Sequence, residues 1–514
     1  MTSTKASGAA LLARELLVAS IPGPTADAET RRFLADGCAS GVCLYGRNIT
    51  GPAQALSLTD ALREVGGPDF LVSADLEGGY VWRLRPEATH WPSAMALGAA
   101  NRPDLTRLIA QAAAREFRAQ GIDTPFAPVA DVSDHPGNPV IGTRAFGGTA
   151  KHVAQHVTAT IGGYREGGVV SCIKHFPGHG HTDTDSHFSL PVLNHSMERL
   201  NTVDLVPFIA GIRAGADMVM VSHLLVRCLD PDTPASLSAR IINALLRRQC
   251  KFQGVIVTDA LDMKAVSDAY GLAEASVLAV MAGCDLVAFN GTLDDGRAVH
   301  TALAAAIASG RLPAEQIEAS IVRTRALRRS VLRNRRPSLK IVGSAAHQAL
   351  ALQVARLAVT SFDSPSVRTD GGAIVVEFDP RLPFADPNVR PPYRRFATDY
   401  ASRHPATETI VMHPQDWATR AESVMPRIGA AGTVIVATRN AWRDPQQALA
   451  LTTICKASGH AVHVAMRDPQ DILLTNGMAN RAATYSDDPL SITALVDALT
   501  TGSVTLGQCP VPLS

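Results

Sequence analysis

The strongest constraint on the fold is an alternation that fills residues 40 to about 290, where short β-branched runs take turns with Ala/Leu/Arg-rich stretches of helical period. The strand candidates are Gly41–Leu44, Phe70–Ala74, Asp123–Pro128, Val169–Lys174, Asp217–Ser222, Gly254–Thr258 and Asp285–Phe289. Helical patterns lie between them, among them Asp104–Gln120, His152–Glu166, Ser238–Gln249 and Leu272–Ala282. Strands separated by helices pair in parallel through crossovers. Seven such units, each closing on polar or ionisable residues, predict an α/β chain built on a TIM-type (β/α) barrel more than an open sheet. In that fold functional groups gather where strands end and the next loops begin.

Two long helical segments follow, Pro313–Asn334 and Ser344–Thr360, interrupted by the basic, proline-containing Arg335-Arg-Pro-Ser338. A second α/β pattern then opens with strand candidates Ala373–Phe378, Thr409–His413, Thr433–Thr438 and Ala461–Ala465. The expected division is a catalytic barrel over 1–335, a linker and connecting helix over 336–371, and a smaller C-terminal α/β sandwich domain over 372–514. The C-terminal strands show no dense cluster of ionisable residues after them, which predicts a packing or assembly role for that domain.

A formal net charge of +1 gives no electrostatic reason to expect nucleic acid or an anionic membrane as partner. The eight cysteines are scattered without a C-x-x-C spacing, so reduced, structural thiols and a cytoplasmic location are expected. No stretch reaches the roughly 20 apolar residues of a membrane span. The apolar run Ala9–Ile21 carries Arg14 and Glu15 at its middle, which suits an amphipathic first helix better than a signal-peptide core.

Four segments could carry chemistry. The first runs from Val169 to Pro191: an apolar strand delivers Lys174 and His175, then Pro177, Gly178 and Gly180 open a loop bearing His179, His181, Asp183, Asp185 and His187. Asp185-Ser-His187 sets a carboxylate two residues from an imidazole, so the acid can fix one ring nitrogen and leave the other to move a proton. A solvated polar loop and a zinc site compete with this reading, although Pro177 and Gly178 exclude the helix that would align His175 with His179. The second segment is the strand Gly254–Thr258 ending at Asp259, where nucleophile, base, metal ligand and helix N-cap all remain open. The third, Asp75-Leu-Glu-Gly-Gly79 with Arg83, and the fourth, Asn138–Gly147 presenting Arg144, bring acids and guanidinium groups to strand ends. Such a mixture suits a polyol, whose hydroxyls need both acceptors and donors.

Lys174-His-Phe-Pro-Gly-His-Gly180 followed by Asp185-Ser-His187, together with Asp75-x-Glu-Gly-Gly79 and Thr258-Asp259, resembles glycoside hydrolase family 3, in its β-N-acetylglucosaminidase branch. The likeness runs through most of residues 10–335. It implies retaining hydrolysis of terminal β-linked N-acetylglucosamine, with phosphorolysis or sugar binding without turnover as alternatives. It further implies Asp259 as nucleophile, His187 as acid/base, Asp185 as its orienting carboxylate, and Asp75, Arg83, Arg144, Lys174 and His175 as sugar-binding residues. The implied partner is a GlcNAc-containing small-molecule glycoside, with neither cofactor nor metal. Leu76 and Tyr80 replace the Gln and Arg usual in the family's acidic motif, and His181 stands where Asp is common. The rim beside Asp75 is therefore expected to be more apolar, and the aglycone to differ from peptidoglycan fragments.

Overall fold

The computed structural model describes the chain except for residues 1, 85–86, 185–189, 333–334, 365–372, 380–394 and 514. Its first sheet has eight strands: β1 (Leu17–Ala19), β2 (Gly41–Leu44), β3 (Leu71–Ala74), β4 (Thr124–Pro125), β5 (Cys172–Phe176), β6 (Met218–Val221), β7 (Val255–Ala260) and β8 (Leu286–Ala288). All pair in parallel, in the order β4-β3-β2-β1-β8-β7-β6-β5. The two end strands meet: Val129, just beyond β4, bridges Lys174, and the Cys172 amide donates to Ala127 O at 2.8 Å. The sheet is a closed (β/α) barrel.

Seven strands fall on the runs picked out in the sequence. The eighth, β1, occupies the end of the expected N-terminal helix, which instead stops at Arg14. Its three residues are all buried. An apolar run hidden on both faces has no amphipathic period by which strand and helix can be told apart.

Alternation along the strands decides what reaches the barrel mouth. Leu71, Cys172, Val255 and Val257 fill the barrel interior with Cys43 and Met218, while Val72, Ile173 and Ile256 pack outward against the helices. The same two-residue period carried to the strand ends sends Asp75, Lys174 and Asp259 inward at the C-terminal face. Leu76 has the opposite parity. It is 1% exposed, in the outer core, so it does not make the rim apolar as the sequence suggested. The opposite end is closed by the helix Ala314–Leu332, whose Leu327 and Val331 join the interior cluster.

The second sheet contains β9 (Thr360–Ser361), β10 (Ile374–Phe378), β11 (Glu408–Met412), β12 (Val434–Thr438), β13 (Ala461–Ala465) and β14 (Asn480–Ala483), in the order β9-β14-β13-β12-β10-β11. Only β9 runs antiparallel to its neighbour. Apolar clusters cover both faces, with Val375 and Ile435 on one and Val376 and Val436 on the other. The helix Ala345–Ala358 ties the domains together, giving Ala351 and Val354 to the barrel core and Ala355 to the second core.

The strand ends of this sheet do carry ionised groups, contrary to expectation. Arg439 donates to Glu377 at 2.8 Å and to Asp487 at 2.9 Å, and Arg467 reaches Asp487 at 2.8 Å, all buried. Glu377, Arg439, Arg467 and Asp487 lie far from one another in sequence, so their meeting is not visible there. The parallel topology collects them at one edge of the sheet, the edge where such folds place their functional groups. That edge faces the barrel, with the Arg467 guanidinium 5.2 Å from the Tyr80 ring.

No single helix among the described residues is long and apolar enough to cross a membrane. All eight cysteines are free thiols, five of them buried.

Candidate active site at the barrel mouth

A cavity of about 140 Å³ opens at the C-terminal ends of the barrel strands, lined by Asp75, Tyr80, Arg83, Arg144, Lys174 and Asp259 among others. Five of the residues assigned from the sequence thus share one pocket, and His175 joins them on its wall. Strict alternation would turn His175 outward beside Lys174. The ladder between β5 and β6 shifts register between Ile173 and Phe176, and the irregularity brings both side chains to the mouth.

Lys174 is the hub. Its ammonium, almost wholly buried, lies 2.9 Å from Asp75 Oδ1 and 2.6 Å from Glu77 Oε1. Arg144 grips Glu77 in a two-bond fork, both at 2.8 Å, and Arg83 stands 3.8 Å from the second oxygen of Asp75. His175 is held by Asp131, which accepts from Nδ1 at 2.7 Å and from the amides of His175 and His179 at 3.2 and 2.7 Å. With Nδ1 donating to Asp131, Nε2 accepts from Arg144 at 3.1 Å.

These charges set the ionisation of the acids. Burial alone would raise Glu77, but Arg144 and Lys174 outweigh it and hold the carboxyl below its ordinary value. Asp75 is lowered in the same way, against burial, by Lys174 and Arg83. Burial also opposes ionisation of Asp259. Its neighbours His175 and His223, the Ala260 amide and Lys174 prevail, and its pKa falls to about 2. His179, by contrast, is driven down to about 4 by burial.

Asp259 is therefore an ionised carboxylate, partly exposed at the mouth. Oδ1 takes the Ala260 amide at 2.8 Å. The N-cap alternative fails, because the next helix begins at Lys264 with Met263 in the cap position. The zinc alternative finds no converging ligands among the described residues. The His175 ring is engaged by Asp131, His181 by Asp134 and His195 by Asp204. Asp185 and His187 lie outside the described residues.

Three contributors were not assigned from the sequence. Glu77 was seen in its motif but given no role, although it shares the parity of Asp75. Asp131 and His223 belong to no recognisable motif, yet each follows a barrel strand closely, the signal that marked the others. His223 lies buried near Asp259, with Nε2 2.9 Å from Ala260 O and Nδ1 2.8 Å from Ser236 Oγ.

Glu77→Gln leaves two buried cations sharing one fewer anion, so a loss of about 3–5 kcal/mol is expected, read as a lower urea midpoint. Because the Glu77 pKa is depressed in the fold, its contribution is complete above its ordinary value of 4.5 and fades as pH falls below that. The gap between wild type and variant should therefore narrow in acid.

The arrangement offers an ionised carboxylate at Asp259, acceptors at Asp75 and donors at Lys174, Arg83 and Arg144 around one small cavity. Residues 11–327 match the profile of the glycosyl hydrolase family 3 N terminal domain. Beta-hexosaminidase A of Pseudoalteromonas piscicida is 33% identical over 64% of this chain, an alignment spanning 60% of that relative's own length. A beta-hexosaminidase of Xylella fastidiosa is 37% identical over 53% of this chain and 82% of its own. A solved family 3 beta-N-acetylglucosaminidase from Paenibacillus sp. superposes with a TM-score of 0.91 at 32% identity, covering 98% of both chains. The residue motifs, the barrel and these likenesses converge, and the chain belongs to glycosyl hydrolase family 3.

Proposed function

We propose that the chain is a retaining β-N-acetylglucosaminidase that releases terminal β-linked N-acetylglucosamine through a covalent glycosyl-aspartate. The observation that carries this reading is Asp259, ionised at the end of β7 and facing a pocket of buried sugar-compatible donors and acceptors. The names of the relatives, β-hexosaminidase and β-N-acetylglucosaminidase, support it. Asp259 attacks the anomeric carbon while His187, oriented by Asp185, protonates the glycosidic oxygen and the aglycone leaves as an alcohol. His187 then takes a proton from water, the resulting hydroxide attacks the same carbon, and Asp259 is freed. Asp75, Lys174, Arg83, Arg144 and His175 hold the sugar. The pocket belongs to the catalytic barrel of residues 1–335, followed by the connecting segment 336–371 and the C-terminal domain 372–514. Eight unpaired thiols suit the cytoplasm.

A slow fluorosugar that traps the intermediate is expected to label Asp259, read by mass spectrometry of the digested protein. Label on another residue overturns the assignment. In phosphate buffer the expected product is free N-acetylglucosamine; sugar 1-phosphate as the main product would make the enzyme a phosphorylase.

A further inference from the structure

The pocket wall nearest the second domain is braced from outside the barrel. Asn138, 1% exposed, organises that wall. Its Oδ1 accepts the amides of Val140 and Ile141 at 2.9 and 2.8 Å. Its Nδ2 donates to His179 O at 2.7 Å and Thr182 Oγ1 at 3.3 Å. Val140 O in turn receives Arg144 Nη1 at 3.1 Å and the Tyr80 hydroxyl at 3.5 Å. One asparagine thus sets the positions of Tyr80, Val140, Arg144 and His179, four groups lining the cavity.

The remaining polar group of Asn138, its backbone carbonyl, is taken by the guanidinium of Arg443 from the second domain. Arg443 sits just after β12, stacked 4.4 Å over Trp442 and 3.5 Å from Asp468. Asp468 presses on the same loop: a Cβ at Gly142 would lie 2.7 Å from its Oδ1, and the φ of +44° there already favours glycine. Arg467 covers the outer face of Tyr80. Three residues of the second domain therefore bear on three points of one wall, although none of them lines the cavity.

We propose that Arg443, assisted by Asp468, is a positioning residue for sugar binding, so that the second domain is a working part of the active site. A charge-assisted bond to a buried carbonyl is among the stronger neutral-to-ion contacts. Without it the Asn138–Arg144 loop loses its outer anchor, and Arg144 drifts relative to Glu77 and His175. Small displacements of a binding group weaken a ligand markedly. The inference rests on this cavity being the sugar site.

The test is Arg443→Ala, assayed with an aryl N-acetyl-β-glucosaminide, active sites being counted with the trapping fluorosugar. KM and the inhibition constant of free N-acetylglucosamine are each expected to rise about five- to tenfold, with kcat per titrated site within about threefold of wild type. Arg443→Lys keeps the charge and one donor; it substitutes for the alanine variant should that fail to fold, and is expected to raise both constants about two- to threefold. A loss confined to the number of titrated sites or to thermal stability, with KM and the inhibition constant unchanged in a folded Arg443 variant, overturns the proposal. Asp75→Asn separates the two layers. If it weakens N-acetylglucosamine binding while the Arg443 variants do not, the brace is wrong and the pocket stands. If Asp75→Asn leaves binding unchanged, the sugar is not held here, and the brace falls with the pocket.

Discussion

Asp259→Asn is expected to lower kcat on the order of 10⁴- to 10⁶-fold, the scale seen when a covalent nucleophile is lost, while the fold and sugar binding survive. The amide is isosteric and its oxygen can still accept the Ala260 N–H that now reaches Oδ1 at 2.8 Å. What disappears is the negative charge on which His175, His223 and Lys174 converge. Asp259→Ala should behave alike and open space on the nucleophile's face of the sugar. Azide entering there would attack from that side and yield a glycosyl azide of inverted configuration, which the wild-type enzyme should not form. Activity within tenfold of wild type in either variant would remove Asp259 from the reaction. A pKa near 2 has a second consequence. Protonation of Asp259 begins far below neutrality, so an acid limb of kcat/KM between pH 4 and 7 is expected to belong to another group.

Much of this site was legible because the barrel converts sequence position into spatial position. Asp75, Lys174 and Asp259 each end an apolar run on its inward parity, and a closed barrel brings inward strand ends to one mouth. Arg144 could be picked out from its glycine-punctuated loop, although nothing local tells that Glu77 is its partner 67 positions away. Asp131 and His223 were passed over because a single polar residue after a short strand looks the same whether it points into the mouth or away. β1 was lost in a helix pattern because its burial is two-sided. The buried charges of the second domain were hidden for a related reason. Glu377, Arg439, Arg467 and Asp487 lie far from one another in sequence, and only the parallel ladder makes them neighbours. Contacts made between strand ends leave no periodic trace in the chain.

His187→Ala is the other change with a large expected effect, and its signature is selectivity. A general acid contributes about 10²- to 10⁴-fold when the departing oxygen needs a proton. Alkyl glycosides and disaccharides should therefore lose kcat/KM on that scale, whereas a dinitrophenyl glycoside, whose phenolate leaves unaided, should lose less than about tenfold. Deglycosylation also needs a base to activate water, so a burst of phenolate followed by slow turnover is expected with the activated substrate. The wild-type profile should fall as pH rises through the acid's pKa, about 6.5 for an unperturbed imidazole, because the protonated form does the work. That limb should vanish in the variant for the activated substrate. Equal losses across leaving groups would instead assign His187 to holding the sugar, and the proton donor would have to be sought elsewhere around the mouth. The groups already there are poorly suited to the task. Asp75 and Glu77 are kept ionised by Lys174 and its neighbouring guanidinium groups, and His179 is kept neutral by burial. None of these three groups is thus in the state that a proton donor needs at neutral pH, which is why the proposed mechanism takes the proton from His187.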